Sequence, residues 1–198
     1  MRMLTPVNPK PHDSQQAHDP DGTTELDRTA GSEASVALII TGGTFDKAYD
    51  SIRGELTLSK THLPDILAMV GCTVSVRPVV ETLKDSLEMT DEDRAVIAAA
   101  CADAPEQQVI VTHGTDTMTE TARVLREAEL GKTIVFTGAM VPFAVNGSDA
   151  LFNLGGAFAA VQTLPAGVYV VMNGRVFRSD RVRKNRSSGV FEAIDVDA

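Results

Sequence analysis

The run Val36-Ala37-Leu38-Ile39-Ile40-Thr41-Gly42-Gly43-Thr44-Phe45 constrains this chain most. Uninterrupted aliphatic residues of this length form a buried strand. The strand stops at two glycines, which let the backbone take positive φ and approach a ligand with no Cβ in the way. A threonine hydroxyl then follows. Val109-Ile110-Val111-Thr112-His113-Gly114-Thr115-Asp116-Thr117-Met118 repeats the plan: aliphatic strand, glycine, Thr-Asp. In open parallel α/β sheets the ligand lies just past the carboxyl ends of the strands. The two strand ends are therefore expected to face one small-molecule site.

The rest of the chain fills in an alternation of strand and helix. Residues 1–35 are rich in Pro, Asp, Thr, Gln and His and poor in large apolar side chains. They are expected to form a disordered extension, because such a segment cannot offset its ordering entropy by burial. Residues 36–198 then make the domain. A polar stretch from Asp46 to Leu56, with Gly54 as its turn, reads as a loop or short hairpin over the first strand end. Leu63, Ile66, Leu67 and Val70 have helical spacing, with Pro64 in the first turn. Residues 73–80 read as a strand and 83–89 as a polar loop. Thr90 followed by three acids reads as a helix start. Strands at 109–112, 133–137 and 167–172 alternate with helices over 117–128 and 148–163, where Gly155 and Gly156 suggest close packing on the sheet. Asn173-Gly174 marks a tight hairpin. The segment from Ser179 is basic up to Arg186. This order predicts a single α/β domain, a parallel sheet with helices on both faces, whose right-handed crossovers bring the strand ends to one edge.

Composition excludes several classes. A net charge of −9 argues against nucleic acid, which needs clustered Lys and Arg. No apolar run approaches a membrane span, and no signal-peptide pattern is visible. Cys72 and Cys101 match neither a metal spacing nor a disulfide framework, so a reducing, cytoplasmic setting is expected. Neither a dinucleotide fingerprint nor a P-loop is present, and no metal-ligand cluster or cofactor motif appears.

A threonine hydroxyl is a weak nucleophile and needs a group that takes its proton. Thr44 has Tyr49 nearby in sequence. Thr115 is followed by Asp116, and Lys184 is the lone lysine of the basic segment. Asp116 suits a substrate ammonium, and backbone amides at glycine turns suit a carboxylate or oxyanion. Each feature also has a plain reading. Gly42-Gly43-Thr44 is explained as well by a strand-to-loop turn or a phosphate nest. Asp116 and Thr115 could cap the following helix, Tyr49 could anchor a loop, Lys184 could be solvated, and His113 reads better as a satisfied core histidine than as a base.

Taken together, Thr41-Gly42-Gly43-Thr44, Thr112-His113-Gly114-Thr115-Asp116-Thr117-Met118, Gly138-Ala139-Met140 and Lys184 in Arg-x-Arg-Lys-Asn resemble the bacterial-type L-asparaginase family, from about residue 36 to 191. The resemblance implies a flavodoxin-like domain, hydrolysis of the side-chain amide of L-asparagine to L-aspartate and ammonia, no cofactor, and a homo-oligomer. Thr44 matches the family's nucleophilic threonine and Tyr49 its flexible-loop tyrosine, and the mechanism implied is acyl transfer with attack by Thr44 or Thr115. Thr115, Lys184 and Asp116 match the second threonine, its lysine partner and the carboxylate that holds the substrate's α-amino group. Ser86 matches the serine that binds the α-carboxylate, and Ala139 the residue whose carbonyl meets the scissile amide. A glutaminase or related amidase, and a non-catalytic amino-acid-binding domain, are the competing expectations.

Two departures stand out. The family's second, C-terminal domain has no counterpart here, so the chain resembles short-chain members made of the first domain alone. With it goes the acid that a neighbouring subunit usually supplies. Leu87 and Glu88 also replace the usual Gln-Asp after the serine, which predicts a looser grip on the substrate.

Overall fold

A computed structural model describes residues 35–194. The extension expected over residues 1–35 lies, apart from Ser35, outside the described residues. The expected parallel sheet is present, with β1 (Ser35–Gly42) at its heart. The other strands of this sheet are β4 (Ser75–Lys84), β5 (Gln108–Thr112), β6 (Thr133–Thr137), β7 (Gly167–Met172) and β8 (Arg175–Arg178), in the spatial order β4-β1-β5-β6-β7-β8. All neighbours run parallel except β8, which returns antiparallel beside β7 through Asn173 and Gly174, both at positive φ. Because the chain leaves β1 for β4 on one side and returns to β5 on the other, strand order reverses between β1 and β5. Ligands bind at that reversal in doubly wound sheets.

β1 is aliphatic throughout because both of its faces are covered. Ala37 and Ile39 join one core with Ile97 and Cys101 of α2 (Asp91–Asp103) and Ala122 and Leu125 of α3 (Met118–Glu127). Val36, Leu38 and Ile40 join the other, with Leu63 and Ile66 of α1 (Leu63–Met69) and Leu154 and Ala157 of α4 (Ala150–Thr163). Among the described residues no helix is long and apolar enough to cross a membrane.

Local signals decide most boundaries. Thr90 and Asp93 form a reciprocal capping box at the start of α2, as the Thr-Asp-Glu-Asp sequence leads one to expect. Three expectations need correction. The strand predicted over 73–80 extends to Lys84, because β4 follows β1 past an irregularity between Ile40 and Gly42. Gly156 does pack on the sheet, where a Cβ would meet Val171 Cγ1 at 3.2 Å, but Gly155 faces open space. The basic segment after Ser179 folds into a hairpin of β9 (Val182–Asn185) and β10 (Val190–Ala193), pinned by buried Val182 and Phe191. Its strands are too short and too charged to show a period.

His113, which follows β5, is fully buried. Its Nδ1 donates to Gly114 O at 2.8 Å and its Nε2 accepts from the Thr121 hydroxyl at 2.8 Å. It is the satisfied core histidine that its sequence setting suggests. Burial drives its pKa down to about 4, since the cation would be stranded without water.

Two outcomes follow for stability. Leu38→Ala should cost about 2–5 kcal/mol in denaturant unfolding, the range for a cavity at a fully packed site. Between pH 6.5 and about 4 the unfolded chain takes up a proton at His113 that the native chain refuses. Stability should therefore fall on acidification through that window. Asp46, whose carboxyl is pushed up by burial, works in the opposite sense. Unfolding midpoints against pH check this, and His113→Gln should flatten the slope.

Candidate active site

The two glycine turns meet. Gly43 has φ 75°, and a Cβ there would lie 2.4 Å from Gly114 N, an impossible approach for any residue but glycine. The Thr41 hydroxyl donates to Thr112 O at 2.8 Å and ties the same two strand ends. Thr44 opens a single 3₁₀ turn, Thr44–Asp46, and is half-buried. Beneath it Phe45 is fully buried, and the buried Asp46 carboxylate accepts from His62 N at 2.8 Å and the Thr61 hydroxyl at 3.1 Å. The threonine is thus presented on a short turn fixed from below.

On the Thr115 turn, Lys184 Nζ donates to Thr115 Oγ1 at 2.7 Å and to Asp116 Oδ1 at 2.8 Å. The Lys184 side chain is 10% exposed and Asp116 34%. Thr115 is 4% exposed. The β9–β10 hairpin delivers the lysine from 69 residues away in sequence. Asp116 is not a helix cap: Thr117 occupies the cap position of α3 and no side chain caps there. The Thr117 hydroxyl donates instead to Ser86 O at 2.8 Å, so the Thr115 turn and the serine turn are joined.

Ser86 is buried against Gly114, where its Oγ would be 2.5 Å from an added Cβ. It starts a 3₁₀ turn, Ser86–Glu88, capped by Asp85, whose Oδ1 accepts from Leu87 N at 3.0 Å. Asp85 Oδ2 accepts from Lys47 Nζ at 2.6 Å. Burial alone would raise the Asp85 carboxyl, but the Lys47 and Leu87 hydrogen bonds, with the charges of Lys47 and Lys184, hold it below its ordinary value. Ala139 is buried in the loop after β6. Asp149 fixes that loop by accepting from Met140 N and Val141 N, each with a contact at 3.0 Å, while Asn153 Nδ2 donates to Gly138 O at 2.9 Å.

Of the residues singled out from the sequence, Thr115, Asp116 and Lys184 are bonded directly. Ser86 joins them through Gly114 and Thr117, and Thr44 through the contact of Gly43 with Gly114. Ala139 follows Gly138, whose Cβ position meets His113 O. Tyr49 is not gathered in: it is 67% exposed on β2 (Ala48–Asp50), which pairs with β3 (Glu55–Thr57) in a small hairpin. Lys47, Asp85 and Asp149 escaped the sequence reading. Asp85 carried a usable signal, a short acidic residue directly before a serine turn. Lys47 carried none, because its partner lies 38 residues away. Chemically, these adjoining turns offer a hydroxyl on a rigid turn, a second hydroxyl held by a lysine, and a partly exposed carboxylate.

The sequence from residue 35 to 196 matches the family model for the asparaginase N-terminal domain. The chain is 29% identical over 170 residues to L-asparaginase 1 of Escherichia coli K12, covering 81% of this chain and 50% of that protein. It is 30% identical over 164 residues to the glutaminase-asparaginase of Acinetobacter glutaminasificans, covering 76% and 49% respectively. The solved structure of the thermostable L-asparaginase from Thermococcus kodakarensis superposes with a TM-score of 0.71 at 27% identity, over 81% of this chain and 51% of that one. The chain thus spans about half the length of the curated relatives it matches. On its matched domain, its fold and its two threonine turns, this chain belongs to the asparaginase family.

Proposed function

We propose that this protein is an L-asparaginase, hydrolysing the side-chain amide of L-asparagine to L-aspartate and ammonia by acyl transfer to threonine. The observation that carries this reading is the Thr115–Lys184–Asp116 group at 2.7 and 2.8 Å, on the turn whose Gly114 touches Gly43, the residue before Thr44. Thr44 Oγ attacks the amide carbon and forms an ester as the C–N bond breaks. Thr115 receives a hydrogen bond from Lys184, so its own proton is free to pass to the departing nitrogen, which leaves as ammonia, while the proton released by Thr44 passes to Thr115 and restores its hydroxyl. Water then cleaves the ester and restores the Thr44 hydroxyl. Asp116 pairs with the substrate ammonium and Ser86 with its α-carboxylate, while the Ala139 carbonyl orients the amide. Tyr49 acts only when the β2–β3 hairpin folds inward. Glutamine is the second reading, favoured by the glutaminase-asparaginase relative. One extra methylene shifts discrimination by only about 1–3 kcal/mol. A cytoplasmic homo-oligomer is part of the same proposal, and the free thiols of Cys72 and Cys101 fit a reducing compartment.

Ammonia release from asparagine and glutamine, assayed side by side, tests the reading and ranks the substrates. Thr44→Ala and Lys184→Met should each lower kcat/KM by roughly a thousandfold or more while circular dichroism stays native. Activity retained in both variants would reject the assigned roles. With Leu87 in place of the usual glutamine, KM for asparagine should lie above the low-micromolar range, as steady-state rates will show.

A further inference from the structure

The serine turn carries a contact that the proposed reaction does not use. Lys47 directly follows the 3₁₀ turn of Thr44 and directly precedes the β2–β3 hairpin. Its Nζ crosses to Asp85 Oδ2 at 2.6 Å. The same carboxylate caps the Ser86 turn through Oδ1. Both side chains are about three-quarters buried, at 23% and 28% exposed, which separates this pair from the surface ion pairs worth little. Leu87, where the family carries glutamine, is 66% exposed and offers no side-chain amide to the pocket. Asp85 also feels the charge of Lys184. Its ion-pair partner among the described residues, however, is Lys47 alone.

We infer that Lys47 and Asp85 are positioning residues: their ion pair clamps the first hairpin to the serine turn, and so sets how tightly the pocket holds an amino-acid carboxylate. This rests on the reading of the pocket given above. The clamp acts on binding in ground state and transition state alike, so its loss belongs in KM and Kd rather than in kcat. Lys47 supplies only the bridge. Asp85 supplies the bridge and the cap, and asparagine in its place keeps the cap while removing the charge.

Calorimetric titration of the full chain with L-aspartate, beside steady-state ammonia release from asparagine, tests the inference. Lys47→Met and Asp85→Asn should each weaken aspartate binding and raise KM by about tenfold, with kcat within about threefold of the parent. Lys47→Arg should restore binding, and the double variant Lys47→Met/Asp85→Asn should be no worse than either single one, as residues acting through one contact require. Parental Kd values in the single variants, penalties that add in the double variant, or a fall in kcat equal to the rise in KM would each overturn the clamp. If the parent protein binds aspartate yet releases no ammonia from any amide, hydrolysis is rejected and the Kd series alone decides the clamp. A parent that binds no aspartate overturns both.

Discussion

The contact of Gly43 with Gly114 is the constraint on which the rest of the site depends. Two strand ends can share one small ligand only if their backbones touch, and a Cβ at 2.4 Å from a neighbouring amide nitrogen would force them apart. The same reasoning extends outward. Gly42 would meet Lys84 N at 2.8 Å, and Gly138 would meet His113 O at 2.4 Å. Three successive turns at the sheet edge are thus packed backbone against backbone, which leaves no slack for side chains to misplace the hydroxyls. Positions of this kind tolerate substitution poorly, because the obstacle is backbone and not a movable side chain.

Charge is arranged around this edge with equal economy. Lys47 pairs with Asp85 at 2.6 Å and Lys184 with Asp116 at 2.8 Å. Each lysine has a carboxylate partner, and each carboxylate belongs to a turn that the pocket needs. Buried charges are tolerated when paired and hydrogen-bonded. Here the pairing also links parts of the chain that no strand ladder joins. Lys47 joins the first hairpin to the serine turn, and Lys184 joins the β9–β10 hairpin to the Thr115 turn.

The serine turn and the first hairpin are held to different degrees. Leu87 lies in the serine turn, which has its own cap and its bond to Thr117. Tyr49 stands apart on a hairpin whose ladder is only three residues long on each strand. Short, exposed hairpins open at small cost, while the β1–β5 edge is locked by a fully buried core. The site therefore combines a rigid floor with a serine turn that a cap, the Thr117 bond and the Lys47 ion pair hold.

The sequence by itself determined the sheet, the glycine turns and the candidate hydroxyls. Those depend on local rules: aliphatic runs bury, glycine alone takes the tight turn, and a capping box starts a helix. The expectation that His113 is a satisfied core residue also came from its place at a buried strand end. Tertiary structure decided what each polar group bonds to. That Asp116 pairs with Lys184 and not with the helix it precedes is a matter of a hairpin arriving from far along the chain. The Lys47–Asp85 pair, the hold of Asp149 on the Ala139 loop, and the outward position of Tyr49 were equally invisible, since none has a periodic or local signature. Side-chain pairing over long sequence separation is fixed by the folded geometry, which brings partners to within hydrogen-bond reach only after the core has closed.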